Sequence, residues 1–302
     1  MRQIGRLRSL LFAPAVRPDF IARLVERGAD AVVIDCEDAT PANAKAEGRA
    51  NARRLAPELV AAGCQVTVRV NGQPTEWFLD DVRDGLVAEL AAVVVPKVET
   101  STGLEVVLAA LDDAGFGELG VLVGLETALG VADARTLLAH PGVVGGYFGA
   151  EDFIADMGGV RTDGNQEVVY ARSAVALAGR LAGVPVLDQV VTDFRNDERF
   201  RRESSEARAL GYAGKLCIHP GQVAIANESF VPTADEVERA RRLLAAYEAA
   251  SATGVAAIDF EGQMVDEPLA AQARRLLDRA VDANVLSTRA GGGSAVEPKE
   301  SG

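Results

Sequence analysis

Val143-Val144-Gly145-Gly146-Tyr147-Phe148-Gly149-Ala150-Glu151-Asp152-Phe153 is an apolar, glycine-rich run of strand length that stops abruptly at two carboxylates. A shorter run, Val121-Leu122-Val123-Gly124-Leu125-Glu126, ends in an acid in the same way. Near-continuous apolar strands suit a parallel sheet covered on its outside. A carboxylate closing a buried strand belongs at the strand's mouth. Neighbouring strands lie about 4.8 Å apart, so adjacency of the two runs would set Glu126 and Asp152 side by side. One hard cation shared between them would offset the mutual repulsion of two acids in a partly buried site.

Six further runs share the pattern. In order the eight are Arg8 to Ala13, Ala31 to Cys36, Gln65 to Val70, Ala92 to Val95, Gly120 to Leu125, Val143 to Phe148, Val184 to Gln189 and Lys215 to Ile218. Segments with apolar residues at helical spacing lie between them, including Pro18 to Arg27, Asn43 to Ala62, Gly103 to Ala114, Val168 to Leu181 and Arg195 to Leu210. Strand and helix alternating eight times predict an α/β protein, a TIM-like (β/α)8 barrel. The 302 residues hold a barrel of about 250 residues and an appendage. The expected division is a barrel over 1–250, a C-terminal helical extension over 251–285, and a disordered tail over 286–302, where Gly291-Gly292-Gly293 stands.

Composition removes several function classes. A net charge of -13 and a pI near 4.8 argue against nucleic acid as a partner, because phosphate backbones require a basic face. Any anionic ligand must instead meet a local group of arginines. Hydrophobic residues make up 48% at a mean hydropathy of +0.09, enough for a sizeable core. No apolar run nears the roughly 20 residues of a membrane span, and the N-terminus lacks a secretory h-region. The expectation is a cytoplasmic protein without a membrane partner. Cys36, Cys64 and Cys217 show no CxxC spacing, so neither a disulfide framework nor a zinc site is signalled. His140 and His219 are the only histidines, which leaves catalysis to carboxylates, Arg and Lys.

Barrel enzymes build their active sites at the C-terminal ends of the strands, and polar side chains gather there. Glu126 and Asp152 read as ligands of Mg²⁺, with Mn²⁺ as a substitute, against the alternative of solvated loop acids or helix caps. Arg69, ending a strand, reads as a two-point grip on a substrate carboxylate, or as an ion pair to an acid of the mouth. Glu37 and Asp38 follow the second strand and would bond metal-bound water, or form an acidic loop balanced by Arg17 or Lys45. Lys97 closes the fourth strand. A Schiff-base aldolase would put its nucleophile there, but the paired acids favour an ion-pairing or substrate-orienting role. Phe12, within the first run, either packs in the core or supports a substrate arm, and Arg17, after it, either forms a surface salt bridge or meets an anionic group of the substrate. Gly145, Gly146 and Gly149 are no dinucleotide fingerprint and would let substrate approach the backbone; Gly149 and the neighbouring Ala150 are taken as substrate contacts. His219 is expected to be packed or hydrogen-bonded, without a catalytic role. Asp266, before Glu267-Pro268 and an apolar periodic stretch, reads as a helix N-cap.

Taken together, the chain resembles the citrate lyase β-subunit-like branch of the HpcH/HpaI aldolase superfamily. The resemblance runs from Arg8 to about Leu277. It rests on Ser9-Leu10-Leu11-Phe12-Ala13-Pro14 with Arg17-Pro18, Asp35-Cys36-Glu37-Asp38, Arg69-Val70-Asn71, Pro96-Lys97, Glu126, Gly149-Ala150-Glu151-Asp152, Cys217-Ile218-His219-Pro220, and Phe260-Glu261-Gly262-Gln263-Met264-Val265-Asp266. Ala39 departs from it, since many relatives carry Gly there. The resemblance implies a Mg²⁺-dependent carbon–carbon lyase acting on a malyl-CoA or citramalyl-CoA type thioester, sometimes with thioester hydrolysis. It implies a homo-oligomer, a trimer or hexamer, in which Asp266 enters a neighbouring subunit's active site as an acid/base. Two alternatives stand beside it, a metal-dependent aldolase on free 2-oxo acids without CoA and a lyase subunit that needs an acyl-carrier partner.

Overall fold

The computed structural model describes residues 3–282. Eight parallel strands close on themselves in sequential order: β1 Ser9–Pro14, β2 Ala31–Asp35, β3 Val66–Arg69, β4 Ala92–Val95, β5 Gly120–Leu125, β6 Val143–Phe148, β7 Val186–Asp188 and β8 Gly214–Cys217. The barrel expected from the eight apolar runs is therefore present, each strand within about two residues of its run.

Strand alternation splits the core into two layers. Leu10, Ala31, Val33, Ala92, Val94, Leu122, Tyr147, Leu187 and Leu216 form one cluster. These are the residues whose parity points into the barrel. Their neighbours of opposite parity, such as Leu11, Val32, Ile34, Val68, Val93 and Val121, pack in a larger second cluster with helix residues such as Leu55, Leu59, Leu104 and Leu137. Both faces of the strands are thus buried, which is why the runs read as continuous rather than alternating.

The outer layer is less regular than the strands. Helices Lys45–Ala61, Ser101–Asp113, Val169–Ala182, Asp197–Leu210 and Pro220–Ser229 are well formed. Between β3 and β4 only a short turn of helix, Phe78–Asp80, and a wider turn, Asp81–Gly85, occur. After β5 two five-residue helices, Ala128–Ala132 and Ala134–Leu138, replace one continuous helix. Thr127 caps the first of them by accepting from the Gly130 N–H.

A second compact unit begins at Val231. It holds the helix Ala234–Ser251, the hairpin β9 Ile258–Phe260 with β10 Gln263–Val265, and the helix Glu267–Asp282. Glu261 and Gly262 turn the hairpin at φ 55° and 78°, the left-handed pair that a tight two-residue turn requires. The division falls at Phe230 and not at residue 250. The helix Ala234–Ser251 shares a core with the extension, where Ala240, Leu243, Leu244 and Tyr247 meet Val265, Ala270 and Ala273. The tail expected over 286–302 and the end of the extension, 283–285, lie outside the described residues. None of the described helices is long and apolar enough to cross a membrane.

Candidate active site

A cavity of about 390 Å³ opens at the C-terminal ends of the strands. Its walls include Phe12, Pro14, Asp35, Asp38, Arg69, Glu126, Tyr147, Gly149, Ala150, Glu151 and Asp152. Five carboxylates and one guanidinium line this space, and three of the acids have cations beside them: Glu151 has Arg161, and Asp38 and Asp152 have Lys97.

Arg69 is the fixed point of one wall. Its Nε and Nη2 donate to the two carboxylate oxygens of Asp35 at 2.7 and 2.6 Å. Asp35 and Arg69 are register partners at the ends of β2 and β3, so the sheet itself places the acid under the base. The Asp35 carboxylate also accepts the backbone N–H groups of Glu37 at 3.0 Å and Ala39 at 3.3 Å. With all four bonds made, Asp35 is committed to holding Arg69. Arg69 Nη1 lies 2.9 Å from Glu37 Oε2, yet no N–H points at that buried oxygen, which accepts no hydrogen bond. Burial works against the Arg69 charge, and the Asp35 carboxylate outweighs it, so the guanidinium pKa stands well above its ordinary value. The Phe12 ring lies 5.1 Å from the same guanidinium, a cation–π contact on the cavity side.

Glu126 stands opposite. Its side chain is 2% exposed. Oε1 accepts two hydrogen bonds, from the Lys97 backbone N–H at 3.0 Å and from the Tyr147 hydroxyl at 2.9 Å. Burial raises its carboxyl to about 7, with Arg69 and Lys97 opposing the shift and Glu37 and Asp152 adding to it. Gly149 is small because of this carboxylate: a Cβ there would come within 2.3 Å of Glu126 Oε2. Gly149 thus makes room for a site acid as well as for any substrate. Gly145 and Gly146, expected to admit substrate, do not line the cavity. Side chains there would strike Leu122 and Pro185, or Leu138 and Val123, so they are packing glycines.

Asp152 sits in the first turn of the helix Ala150–Met157, whose N-cap is Gly149. Its carboxylate is partly exposed on the cavity wall, and Lys97 Nζ lies 3.4 Å from Oδ1. Lys97 therefore ties the two acids together, Glu126 through its backbone and Asp152 through its side chain. It adopts φ 52°, a left-handed conformation that non-glycine residues rarely take. Its ammonium also bonds Glu37 Oε1 at 2.6 Å and lies 3.6 Å from Asp38. Burial lowers its pKa, but the Glu37 bond and the surrounding acids prevail and hold it above the ordinary lysine value. A Schiff-base nucleophile must be neutral. The environment of Lys97 enforces the opposite, and the ion-pairing role is the one observed.

Among the described residues no group of three or more His, Cys, Asp or Glu side chains forms a self-sufficient metal cage. Two carboxylates on one cavity, with room for water and ligand, fit Mg²⁺, which keeps several waters and takes few protein ligands. The orphaned Glu37 oxygen fits the same picture, since water around a cation could satisfy it.

Other residues singled out in the sequence lie elsewhere. Arg17 is off the cavity, about half exposed, paired with Asp19 at 2.8 Å and laid over Phe20. His219 accepts from the Gly221 N–H at 3.1 Å and stacks on Phe194, a capping and packing role. Asp266 lies in the second unit. The Ala270 N–H bonds to its backbone carbonyl, so it occupies a cap position, yet its Oδ1 is buried without a hydrogen-bond partner. Asp35 and Tyr147 carry site functions that sequence reasoning did not assign. The signal for Asp35 was available, because β2 and β3 both end in a charged residue and parallel neighbours in register meet.

The sequence model described as HpcH/HpaI aldolase/citrate lyase matches residues 8–220, and one described as C-C_Bond_Lyase of the TIM-barrel fold matches 168–282. A citrate lyase subunit beta-like protein of Deinococcus radiodurans is 51% identical over 275 residues, covering 90% of this chain and 96% of that protein. A (3S)-malyl-CoA thioesterase of Cereibacter sphaeroides is 32% identical, covering 92% and 96%. Among solved structures, protein CitE from Mycobacterium tuberculosis, in complex with magnesium, acetoacetate and coenzyme A, superposes with a TM-score of 0.78 at 31% identity, covering 92% of this chain and 99% of that one.

Proposed function

The chain belongs to the HpcH/HpaI aldolase/citrate lyase family and is a carbon–carbon lyase, and we propose that it cleaves a short hydroxyacyl-CoA thioester of the malyl-CoA or citramalyl-CoA type in a Mg²⁺-dependent reaction. The products would be acetyl-CoA and a 2-oxo acid, and the reverse would be a Claisen-type addition. The observation that carries this reading is the placement of Glu126 and Asp152 on one cavity wall with the Asp35-clamped Arg69 on the same space. The magnesium and coenzyme A of the M. tuberculosis structure support it.

Mg²⁺ bound at Glu126 and Asp152 would supply Lewis-acid polarisation of the reacting carbonyl or hydroxyl oxygen. Arg69 meets the negative charge at the same end of the substrate; its planar fork is locked by Asp35, so no reorganisation accompanies the reaction. Glu37 and Lys97 hold each other and orient water and the Asp152 carboxylate. Carbon–carbon cleavage leaves an acetyl-CoA enolate, which needs a proton. We assign that proton to Asp266 of a neighbouring subunit in a cytoplasmic homo-oligomer, a role its unpartnered buried oxygen supports. For the CoA tail, a pocket of about 350 Å³ shares Phe12, Pro14 and Ile218 with the catalytic cavity and adds Phe20, Arg23 and Arg27. It is the local arginine group that a chain of net charge -13 needs to meet phosphates.

The deciding experiment incubates purified protein and Mg²⁺ with short hydroxyacyl-CoA esters while acetyl-CoA and free CoA are measured separately. Acetyl-CoA release that stops on adding EDTA supports the reading, and free CoA formed alongside adds thioester hydrolysis. Full turnover in EDTA, activity on 2-oxo acid aldols with no gain from the thioester, or activity only with an acyl-carrier protein would each replace it.

A further inference from the structure

We infer that Tyr147 determines which oxygen of Glu126 meets the cation, and thereby favours a small octahedral cation over calcium. This rests on the Glu126 and Asp152 metal site proposed above.

Tyr147 is the aromatic member of the barrel's inner cluster and is 1% exposed. Three features of the strands place its hydroxyl. First, the β5–β6 register shifts between Val121 and Leu122, so Gly124 pairs with Tyr147. Second, a Cβ at Gly124 would lie 2.5 Å from the Tyr147 oxygen and 2.6 Å from Glu126 Oε1; glycine at that position is what lets the phenol and the carboxylate meet. Third, the hydroxyl donates to Glu126 Oε1 at 2.9 Å, and the left-handed Lys97 backbone delivers a second N–H to the same atom at 3.0 Å. No described residue donates to Oε2. One oxygen is thus engaged by two fixed donors, and the other is free for the cavity.

The consequence is chemical. Ca²⁺ takes six to eight oxygens and readily accepts a carboxylate through both of its oxygens, whereas Mg²⁺ takes six at short distances, usually one per carboxylate. A carboxylate whose Oε1 already accepts two hydrogen bonds offers one oxygen only. Such partners of a ligating group typically change metal affinity by about 10–100-fold. Phenylalanine in place of Tyr147 keeps the ring and removes the donor.

The test is Mn²⁺ binding to metal-stripped protein, read by the loss of the free-ion EPR signal, with Ca²⁺ as competitor. Tyr147→Phe is expected to raise the Mn²⁺ Kd about tenfold and to weaken Ca²⁺ less, so that the Ca²⁺:Mn²⁺ preference shifts severalfold towards Ca²⁺. Gly124→Ala, which keeps the phenol but forces a methyl group between it and Glu126, is expected to shift the preference in the same direction, and it stands in if Tyr147→Phe does not fold. Unchanged Mn²⁺ affinity in a folded variant overturns the inference. So does an equal loss for both cations, which marks general loosening. Wild-type protein that binds no Mn²⁺ overturns the metal site itself, and this inference with it.

Discussion

Glu126→Gln should make the metal-free protein more stable at neutral pH, a counterintuitive result for a residue at the centre of the site. Burial raises the Glu126 carboxyl from 4.5 to about 7. For an acid raised in this way, the folded state binds more protons than the unfolded chain between the two values. Its contribution to stability is therefore complete below about pH 4.5, declines as pH rises towards 7, and levels beyond. At about 1.4 kcal/mol for each pH unit, the whole loss is roughly 3 kcal/mol. Glutamine keeps the shape and an acceptor for Tyr147 and Lys97, and it does not ionise. The stability of the variant over wild type should grow from near zero at pH 4.5 to roughly 3 kcal/mol above pH 7.

Urea unfolding at pH 5, 6, 7 and 8 in EDTA measures this directly. The raised Glu37 titrates in both proteins, so the difference between the curves isolates Glu126. Excess Mg²⁺ should close the gap, because it would bind the ionised native wild type; at a hundred times Kd it would restore about 2.7 kcal/mol, nearly the whole difference. A stability difference that is flat from pH 5 to pH 8 would refute the reasoning, since it would mean that Arg69 and Lys97 keep Glu126 ionised throughout.

Arg69→Lys should lower kcat/KM by roughly 100-fold, about 2.7 kcal/mol, with a native circular dichroism spectrum, since an ammonium cannot hold Asp35 at two points and face substrate; a loss under threefold would contradict that. Lys215→Met should cost about 3–5 kcal/mol in urea unfolding, because Nζ is fully buried 2.7 Å from Asp188 and 3.7 Å from Glu203; an unchanged midpoint would show the pair dispensable. Asp266→Asn and Glu126→Gln proteins should each be inactive, and equal mixtures reassembled after dissociation should regain activity at about a quarter of sites if active sites are shared between subunits. No recovery would keep Asp266 within its own chain.

The barrel was legible because its strands are buried on both faces, and burial writes an unbroken apolar run that turn residues delimit. The outer layer was less so. The wide turn at Asp81–Gly85 is held by Asp81, which accepts from the Asn71 N–H and pairs with Arg49, contacts far apart in sequence that leave no periodic trace. The division into compact units at Phe230 left no trace in the sequence, because Ala234–Ser251 has the pattern of any amphipathic helix and which core receives its apolar face is a tertiary fact. At the site, residues whose role is to reach the cavity were readable as acids and bases at strand ends. Tyr147 was not. Inside an apolar run it reads as core, and its hydroxyl acquires a partner only through the β5–β6 register shift and the missing side chain at Gly124.

Charge accounting shows how one cavity accommodates both a cation and an anionic substrate. Asp35 is spent on Arg69, and Glu37 is shared between Arg69 and Lys97, so this group of two acids and two bases is close to neutral. Glu126 and Asp152 remain, with Lys97 beside both and the Arg69 charge also acting on Glu126. Two carboxylates and a divalent cation would cancel, so Glu126 and Asp152 would no longer repel an anionic substrate approaching Arg69. Because Asp35 fixes its plane, the Arg69 guanidinium is presented at a set position, where a carboxylate or developing oxyanion gains most from it. Removing Asp35 would thus do more than weaken a salt bridge: it would leave Arg69 free to collapse onto Glu126 or Asp152 and compete for the acids proposed to hold the metal.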